Sequence, residues 1–349
     1  MIELRSDNTA AVAPEILAAV ADANAGTALA YGGDDLTAHL QEVVRTVFEH
    51  PTARAFPVTS GTAANALSLS AATPPWGAVL CHPTAHIITA EGGATSLFGG
   101  GAVMQGVAGP HALIDPATLR EALDAVRWGD PHESQPSVLS LTLPSDHGTA
   151  YRPAEVTALT AIAREYGLRV HLDGARIANA VAALGCAPAD VTWRAGVDVM
   201  SLGATKNGAL SAEAIVAFDD RIAEELVYRT KRAGHVTSKM RFQSAQVAAY
   251  LTDGLWLRLA EGSNRRMSEL VAGLEPLSAY GVRLQERVDV NMAFVELPEV
   301  AVDALTASVL CYRMSPTSVR LVTSWQTTSD DVTAAVAAFR DAVSTSAPS

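Results

Sequence analysis

Residues 201–210 read SLGATKNGAL and residues 168–180 read LRVHLDGARIANA. In each, a short apolar run ends in small residues and presents a charged side chain at its end, Lys206 in the first and Asp173 in the second. Unbroken apolar runs of this length are the pattern of strands buried on both faces, as in a parallel sheet covered by helices. Similar runs stand at 54–59, 77–81, 137–143 and 213–218, beside 168–172 within the second stretch and 197–202, which leads into the first. Apolar positions at helical spacing predict amphipathic helices over 14–25, 36–49, 62–72, 153–167 and 331–344. Strands alternating with helices imply βαβ units, so the fold class is α/β, with a mainly parallel sheet flanked by helices.

A chain of 349 residues exceeds what one core comfortably serves. The expected division is an N-terminal arm and large domain over 1–255 and a smaller C-terminal α/β domain over 256–349. A long helical stretch over 242–259 is the expected hinge, with strands beyond it at 292–297 and 319–323. No fixed-period repeat occurs, and the Ser/Pro tail over 345–349 is expected to fray.

With 49% hydrophobic and only 18% charged residues, the chain has the composition of a well-buried enzyme rather than a disordered segment. Its net charge of -12 argues against nucleic acid or an anionic membrane as partner, since both require clustered Lys and Arg. Small-molecule partners fit better. Cys81, Cys186 and Cys311 are odd in number and widely spaced, the pattern of reduced thiols rather than a disulfide frame or zinc site. The opening MIELRSDN is not a cleavable leader, and no apolar run reaches the roughly 18 residues of a membrane span, so a cytoplasmic location is expected.

Lys206 stands among small neighbours at a strand end. Most lysines in loops are solvated, but one in that position can form a Schiff base, with desolvation lowering its pKa toward the reactive amine. Asp173 ends another strand just ahead of a helix. An Asp there serves equally as a helix N-cap or as a carboxylate facing a ligand. Together, a Schiff-base lysine and an Asp able to pair with a pyridinium nitrogen are what pyridoxal phosphate chemistry asks of a protein. A third element is VTSGTAANAL (58–67), where Ser60, Gly61 and Thr62 lie between a strand and a helix and can meet a phosphate at the helix N-terminus.

The set resembles the fold-type-I pyridoxal-phosphate enzymes and, within them, the low-specificity L-threonine aldolases of the β-eliminating lyase group. The resemblance runs through ELRSDN (3–8), AYGGDD (30–35), SGTAANAL (60–67), AHIITAEGG (85–93), HLDGARIANA (171–180), SLGATKNGAL (201–210), KRAGHVTSKMRF (231–242) and VRLVTSW (319–325). It implies pyridoxal 5'-phosphate joined to Lys206, Asp173 on the ring nitrogen, Gly61 and Thr62 on the phosphate, and His86 stacked on the ring near the substrate hydroxyl. Ser6, Arg176 and Arg320 match residues that grip the substrate carboxylate, a task suited to the guanidinium fork. Arg241 matches an arginine that reaches a phosphate across a subunit interface, and Tyr31 a tyrosine given to the neighbouring site. His132 falls where the family often has a second active-site histidine, or is a solvated loop residue. The resemblance further implies a homo-oligomer of site-sharing dimers assembled into a tetramer.

The implied reaction cleaves L-threonine, L-allo-threonine and related β-hydroxy-α-amino acids to glycine and an aldehyde, with His86, directly or through water, taking the hydroxyl proton. Two other readings stay open: a β-eliminating amino-acid lyase on the same scaffold, and a cofactor-binding protein without turnover. The chain departs from the common pattern at LTLPSDHGTAY (141–151), where many members read a Glu-Asn-Thr-His type segment, and at ATKNGA in place of a Ser-Lys-Gly form. His82 and His86 would share a helix face as metal ligands, but Pro83 argues against a regular helix between them and no third ligand is evident, so no metal is expected.

Overall fold

The computed structural model describes residues 1–344; the tail over 345–349, with the fraying expected there, lies outside the described residues. In chain order the strands are β1 (Ile2–Glu3), β2 (Arg54–Val58), β3 (Gly77–Cys81), β4 (Val103–Gly106), β5 (Gln135–Thr142), β6 (Arg169–Gly174), β7 (Val199–Leu202) and β8 (Glu213–Ala217). They continue with β9 (Arg283–Leu284), β10 (Met292–Glu296), β11 (Val309–Leu310), β12 (Tyr312–Ser315) and β13 (Ser318–Val322).

The large sheet has the order β2-β8-β7-β6-β5-β3-β4. The pairs from β7 across to β4 are parallel, whereas β8 runs antiparallel to both β7 and β2. Because β8 alone is reversed, its first residue lies at the same edge as the last residues of the others, and that edge collects the chain's polar loops. Neighbouring residues feed opposite faces, as the two-residue period of a strand requires. Val199 and Ile215 pack into one core with Leu67 and Leu226, while Met200 and Val216 pack into the other with Leu172 and Trp256. Burial on both faces is why these strands read as continuous apolar runs.

The helix Gly61–Ala72 starts at Ser60, whose side chain accepts a hydrogen bond from the Ala63 N–H, and it lies buried against the sheet. The helices Asp35–Val47 and Asp220–Arg232 start in the same way, on Asp34 and Asp219.

One expectation needs correction. The stretch 242–259 is not one helix: Arg241–Leu251 and Leu255–Leu274 are separated by Thr252–Gly254, where Asp253 and Gly254 take φ of 51° and 68°. Left-handed backbone at an Asp-Gly pair ends a helix, although the apolar spacing on either side continues in phase. The second of these helices joins two cores, burying Leu255, Trp256 and Ala260 in the large one and Met267, Leu270 and Leu274 in a C-terminal one.

The C-terminal core is covered by an antiparallel sheet of order β12-β13-β10-β9 and by the helix Ser329–Ser344. The chain's first residues join it. β1 pairs parallel with β11, and Leu4 is buried there. From that anchorage Ser6, Asp7 and Asn8 cross toward the polar edge of the large sheet. Among the described residues no helix is long and apolar enough to cross a membrane.

Candidate active site

A cavity of about 270 Å³ opens at the C-terminal edge of the parallel strands. This is where open α/β sheets bind ligands, since the strand ends and helix starts leave room between diverging loops. β2 delivers Thr59 to Thr62, β3 delivers His86 and Glu91, and β5 delivers Thr142, Pro144 and Asp146. β6 delivers Asp173 and Arg176, β7 delivers Ser201 to Gly203 and Lys206, and reversed β8 adds its first residue, Glu213.

Lys206 follows β7 in a short turn, Thr205–Asn207, closed by Gly208 at φ 111°. The approach depends on Gly203, where a Cβ would stand 2.1 Å from the Ala175 carbonyl oxygen. The chain has three lysines, Lys206, Lys231 and Lys239. Lys231 and Lys239 are exposed, and Lys206 alone lines the cavity. The positive charge of Arg176, then burial, hold the Lys206 amine below its ordinary range, against the pull of Asp7, Asp173 and Asp146.

Asp173 is buried, with Oδ1 accepting from the Ala175 N–H at 3.0 Å and Oδ2 from Asn65 Nδ2 at 2.9 Å. The same Asn65 nitrogen stands 2.8 Å from Glu91 Oε1, which also lies 3.0 Å from His86 Nδ1. In the tautomer that satisfies this contact His86 donates from Nδ1 to the Glu91 carboxyl oxygen, which leaves Nε2 free of that bond. The Glu91 hydrogen bond raises the His86 pKa, outweighing partial burial, with the charge of Asp146 adding to it. Glu213 accepts from the Ala204 N–H at 2.5 Å, beside Lys206, and burial pushes its carboxyl upward.

Arg176 makes a two-pronged ion pair with buried Asp7, at 2.6 and 2.9 Å, which Asn291 supports at 3.1 Å. Burial opposes the Asp7 charge, but Arg176 and Lys206 overcome it and hold the carboxyl below its usual range. Ser6 is buried beside Asp7 but is not part of the cavity wall, and its Oγ accepts from the Asn8 N–H at 3.2 Å. Arg320, on β13, donates to the Arg5 carbonyl at 3.2 Å and lies 4.9 Å from the Tyr312 ring centroid. Its Nε is buried and has no hydrogen-bond partner among the described residues, and burial together with the Arg176 charge depresses its pKa. Arg176 lines the cavity and Arg320 does not; two guanidinium groups that repel each other, one with an unsatisfied donor, can take an anion between them.

The remaining expected residues lie elsewhere on this chain. His132 is exposed in the loop before β5, at the opposite edge of the sheet from the cavity. An eight-residue strand of about 26 Å separates the two edges. Tyr31 is exposed at φ 58°, with the Lys231 ammonium 4.6 Å from its ring centroid, and Arg241 donates to the Ala23 carbonyl at 2.9 Å. Neither lines this chain's cavity. His82 precedes the helix His86–Thr89 and bonds to Thr84 at 2.8 Å, so the two histidines do not share a helix face.

Asp7, Asn65, Glu91, Asp146 and Glu213 were not singled out in the sequence. Asn65 is four residues past Gly61, on the same helix face, and that spacing could have revealed it.

The family model described as beta-eliminating lyase matches residues 3–299. This chain belongs to the beta-eliminating lyase family. A relative of this chain, the low specificity L-threonine aldolase of Pseudomonas aeruginosa, is 41% identical over 308 residues, 87% of each chain. A solved threonine aldolase of Leishmania major aligns with a TM-score of 0.90 at 27% identity, over 98% of this chain and all of that one. An aspartate aminotransferase of Thermus thermophilus, 16% identical with a TM-score of 0.72 over 98% of this chain and 96% of that one, shares the fold. The architecture of this chain is the fold-type-I arrangement of pyridoxal-phosphate enzymes.

The cavity's donor set fits that cofactor. A helix N-terminus at Ser60–Thr62 suits a phosphate, a buried carboxylate suits a protonated ring nitrogen, an amine held below its usual pKa suits an aldehyde carbon, and His86 supplies a flat wall. Gly61 presents backbone alone to open space.

Proposed function

We propose that this chain is a pyridoxal-phosphate-dependent aldolase that cleaves L-threonine, L-allo-threonine and related β-hydroxy-α-amino acids into glycine and an aldehyde. The observation that carries this reading is the convergence of Lys206, Asp173, His86 and Arg176 on one cavity beside the N-terminus of the helix Gly61–Ala72. When bound, the cofactor supplies a conjugated ring that accepts the electron pair left by the broken Cα–Cβ bond. Ser60, Gly61 and Thr62 would hold its phosphate, Asp173 its ring nitrogen, His86 its face and Lys206 its aldehyde carbon.

The chain's own residues would then do the orienting. Arg176, fixed by Asp7, and Arg320 with Ser6 would bind the substrate carboxylate. That fixes which bond at Cα stands across the ring plane and so which bond breaks. Burial of Asp173 beside Asn65 keeps its carboxylate aimed into the cavity through the reaction. Thr59 and Ser60 remain exposed at the phosphate end. In this proposal a second copy of the chain closes that end, contributing Tyr31 and Arg241, in a dimer that pairs further into a tetramer.

The test is incubation with L-threonine or L-allo-threonine and pyridoxal 5'-phosphate, with all products measured. Glycine and acetaldehyde in equal amounts are expected. Ammonia with a keto acid would replace this reading by β-elimination chemistry.

A further inference from the structure

We infer that Asp146 is a catalytic residue of this site, the group that takes the proton from the substrate's β-hydroxyl. The inference rests on the aldolase reading and adds to it a residue from the segment in which this chain departs from the common family pattern.

Asp146 lines the cavity just past β5. Its Oδ2 accepts the His86 backbone N–H at 2.9 Å, and among the described residues no donor reaches Oδ1. One oxygen is thus anchored and the other is free for a ligand. The loop that carries it is pinned from both sides. Ser145 and Thr149 bond to each other through side chains at 2.6 Å and through backbone at 2.8 Å. His147 stacks on Phe294 at 4.8 Å, and Gly148, at φ 82°, fits where a Cβ would stand 2.3 Å from the Met292 carbonyl oxygen. A carboxyl so mounted is held by the C-terminal sheet, not by a mobile loop tip.

The groups facing it define what it can do. Asp173 and Arg176 face it from the end of β6, Lys206 from the turn after β7, and His86 from the helix after β3. On its far side lies a pocket of about 10 Å³, near the size of one water, whose wall includes His82, Ser140, Thr142 and Tyr151. Burial, then the negative charge of Asp173, raises the Asp146 pKa, against the pull of Arg176, His86 and Lys206. A carboxylate raised in this way is a stronger base than an ordinary one. His86 is also raised, by Glu91, which favours its protonated form and makes it a better donor than acceptor. The division of labour follows: His86 binds, and Asp146 takes the proton.

The balance is as follows. The β O–H bond breaks and its proton goes to Asp146 Oδ1. The Cα–Cβ bond breaks, its electron pair stays with the Cα fragment, and the hydroxyl-bearing carbon leaves as the aldehyde. Lys206 delivers one proton to Cα and takes the hydroxyl proton from Asp146, so one Cα–H bond is gained for the O–H bond lost and both side chains end in the state in which they began.

The test compares wild type with Asp146→Asn, which keeps the size of the side chain and an oxygen for the His86 N–H, and with Asp146→Glu. In Asp146→Asn, kcat for L-threonine is expected to fall about 100- to 1000-fold with little change in KM. The acid limb of the kcat–pH profile should vanish, whereas exchange of the glycine α-proton with D2O, which involves no hydroxyl, should persist within a few-fold. Asp146→Glu should retain the acid limb. In the cofactor-free protein, carboxyl 13C NMR, assigned by difference from Asp146→Asn, should show Asp146 titrating above the usual aspartate range. An active wild type with an Asn variant that keeps kcat and its acid limb overturns the proposal alone, as does loss of glycine exchange in parallel with kcat. A wild type that releases no glycine and aldehyde removes the aldolase reading and this proposal together, even if the carboxyl titrates high.

Discussion

The Nδ2 atom of Asn65 stands 2.8 Å from Glu91 Oε1 and 2.9 Å from Asp173 Oδ2, so one amide group holds two buried carboxylates. Through Glu91 the link continues to His86 at 3.0 Å. The cavity wall that would stack on a ring and the carboxylate that would meet its nitrogen are therefore positioned by one side chain of the helix Gly61–Ala72. Asn65→Ala leaves both carboxylates short of a donor. It should cost about 2–3 kcal/mol of stability in the cofactor-free protein, read by urea denaturation, and weaken pyridoxal phosphate binding by about tenfold or more. If both stay at wild-type values, the bridge is incidental.

Arg176 is the first cause of the lowered Lys206 pKa. Removing its charge in Arg176→Gln should therefore raise the pH at which the Lys206 amine becomes free. Competitive labelling of the cofactor-free protein with an amine reagent across pH, followed by peptide analysis, reads that midpoint. The variant should also lose about 3–5 kcal/mol of stability, because Asp7 is left buried without its partner. A midpoint that stays put would show that burial alone sets the amine.

Much of this was legible in the chain. The strands of the large sheet read as apolar runs because helices cover both its faces, and β3 appears at the bounds expected from sequence. β4 escaped notice because it is a four-residue edge strand, VMQG, with little burial. The kink at Asp253 escaped because hydrophobic periodicity does not register a left-handed turn that preserves phase. In the site, Lys206, Asp173 and Ser60–Thr62 announced themselves by lying at strand ends among small residues. Asp7 and Glu91 did not, because their roles depend on partners 169 and 26 residues away, Arg176 and Asn65. Asp146 was hidden for the same reason, since it is anchored on the backbone of His86, 60 residues away.

His171 lies under the site, with Nδ1 2.9 Å from Ser140 Oγ and Nε2 3.2 Å from Ser201 Oγ, and burial pushes its pKa down from 6.5 to about 4. The folded protein keeps this imidazole neutral while the unfolded chain binds a proton. Its contribution is therefore complete above about pH 6.5 and is lost as pH falls toward 4. On the order of 3 kcal/mol should disappear across that interval. Denaturation midpoints measured through it should fall less steeply in His171→Gln than in wild type, and parallel slopes would contradict the assignment.

Gly203→Ala places a methyl group against the Ala175 carbonyl beside the Lys206 turn. The strand ends β6 and β7 must separate or the variant must unfold, at a cost of about 3 kcal/mol. Thermal melting should show the loss. A folded variant should also take up cofactor less tightly, because the turn that carries Lys206 has moved. Unchanged melting would mean the two strand ends are looser than their 3.0 Å Gly203–Gly174 hydrogen bond indicates.

The central claim is that Lys206 is where the cofactor joins the protein, and with three lysines in the chain one measurement tests it directly. The protein is loaded with pyridoxal 5'-phosphate, reduced with borohydride to fix the cofactor on its amine, digested and mapped by mass. The pyridoxyl group should be found on the peptide containing Lys206 in near-stoichiometric yield. Label on Lys231 or Lys239, or no label on a protein that cleaves L-threonine, would contradict the account.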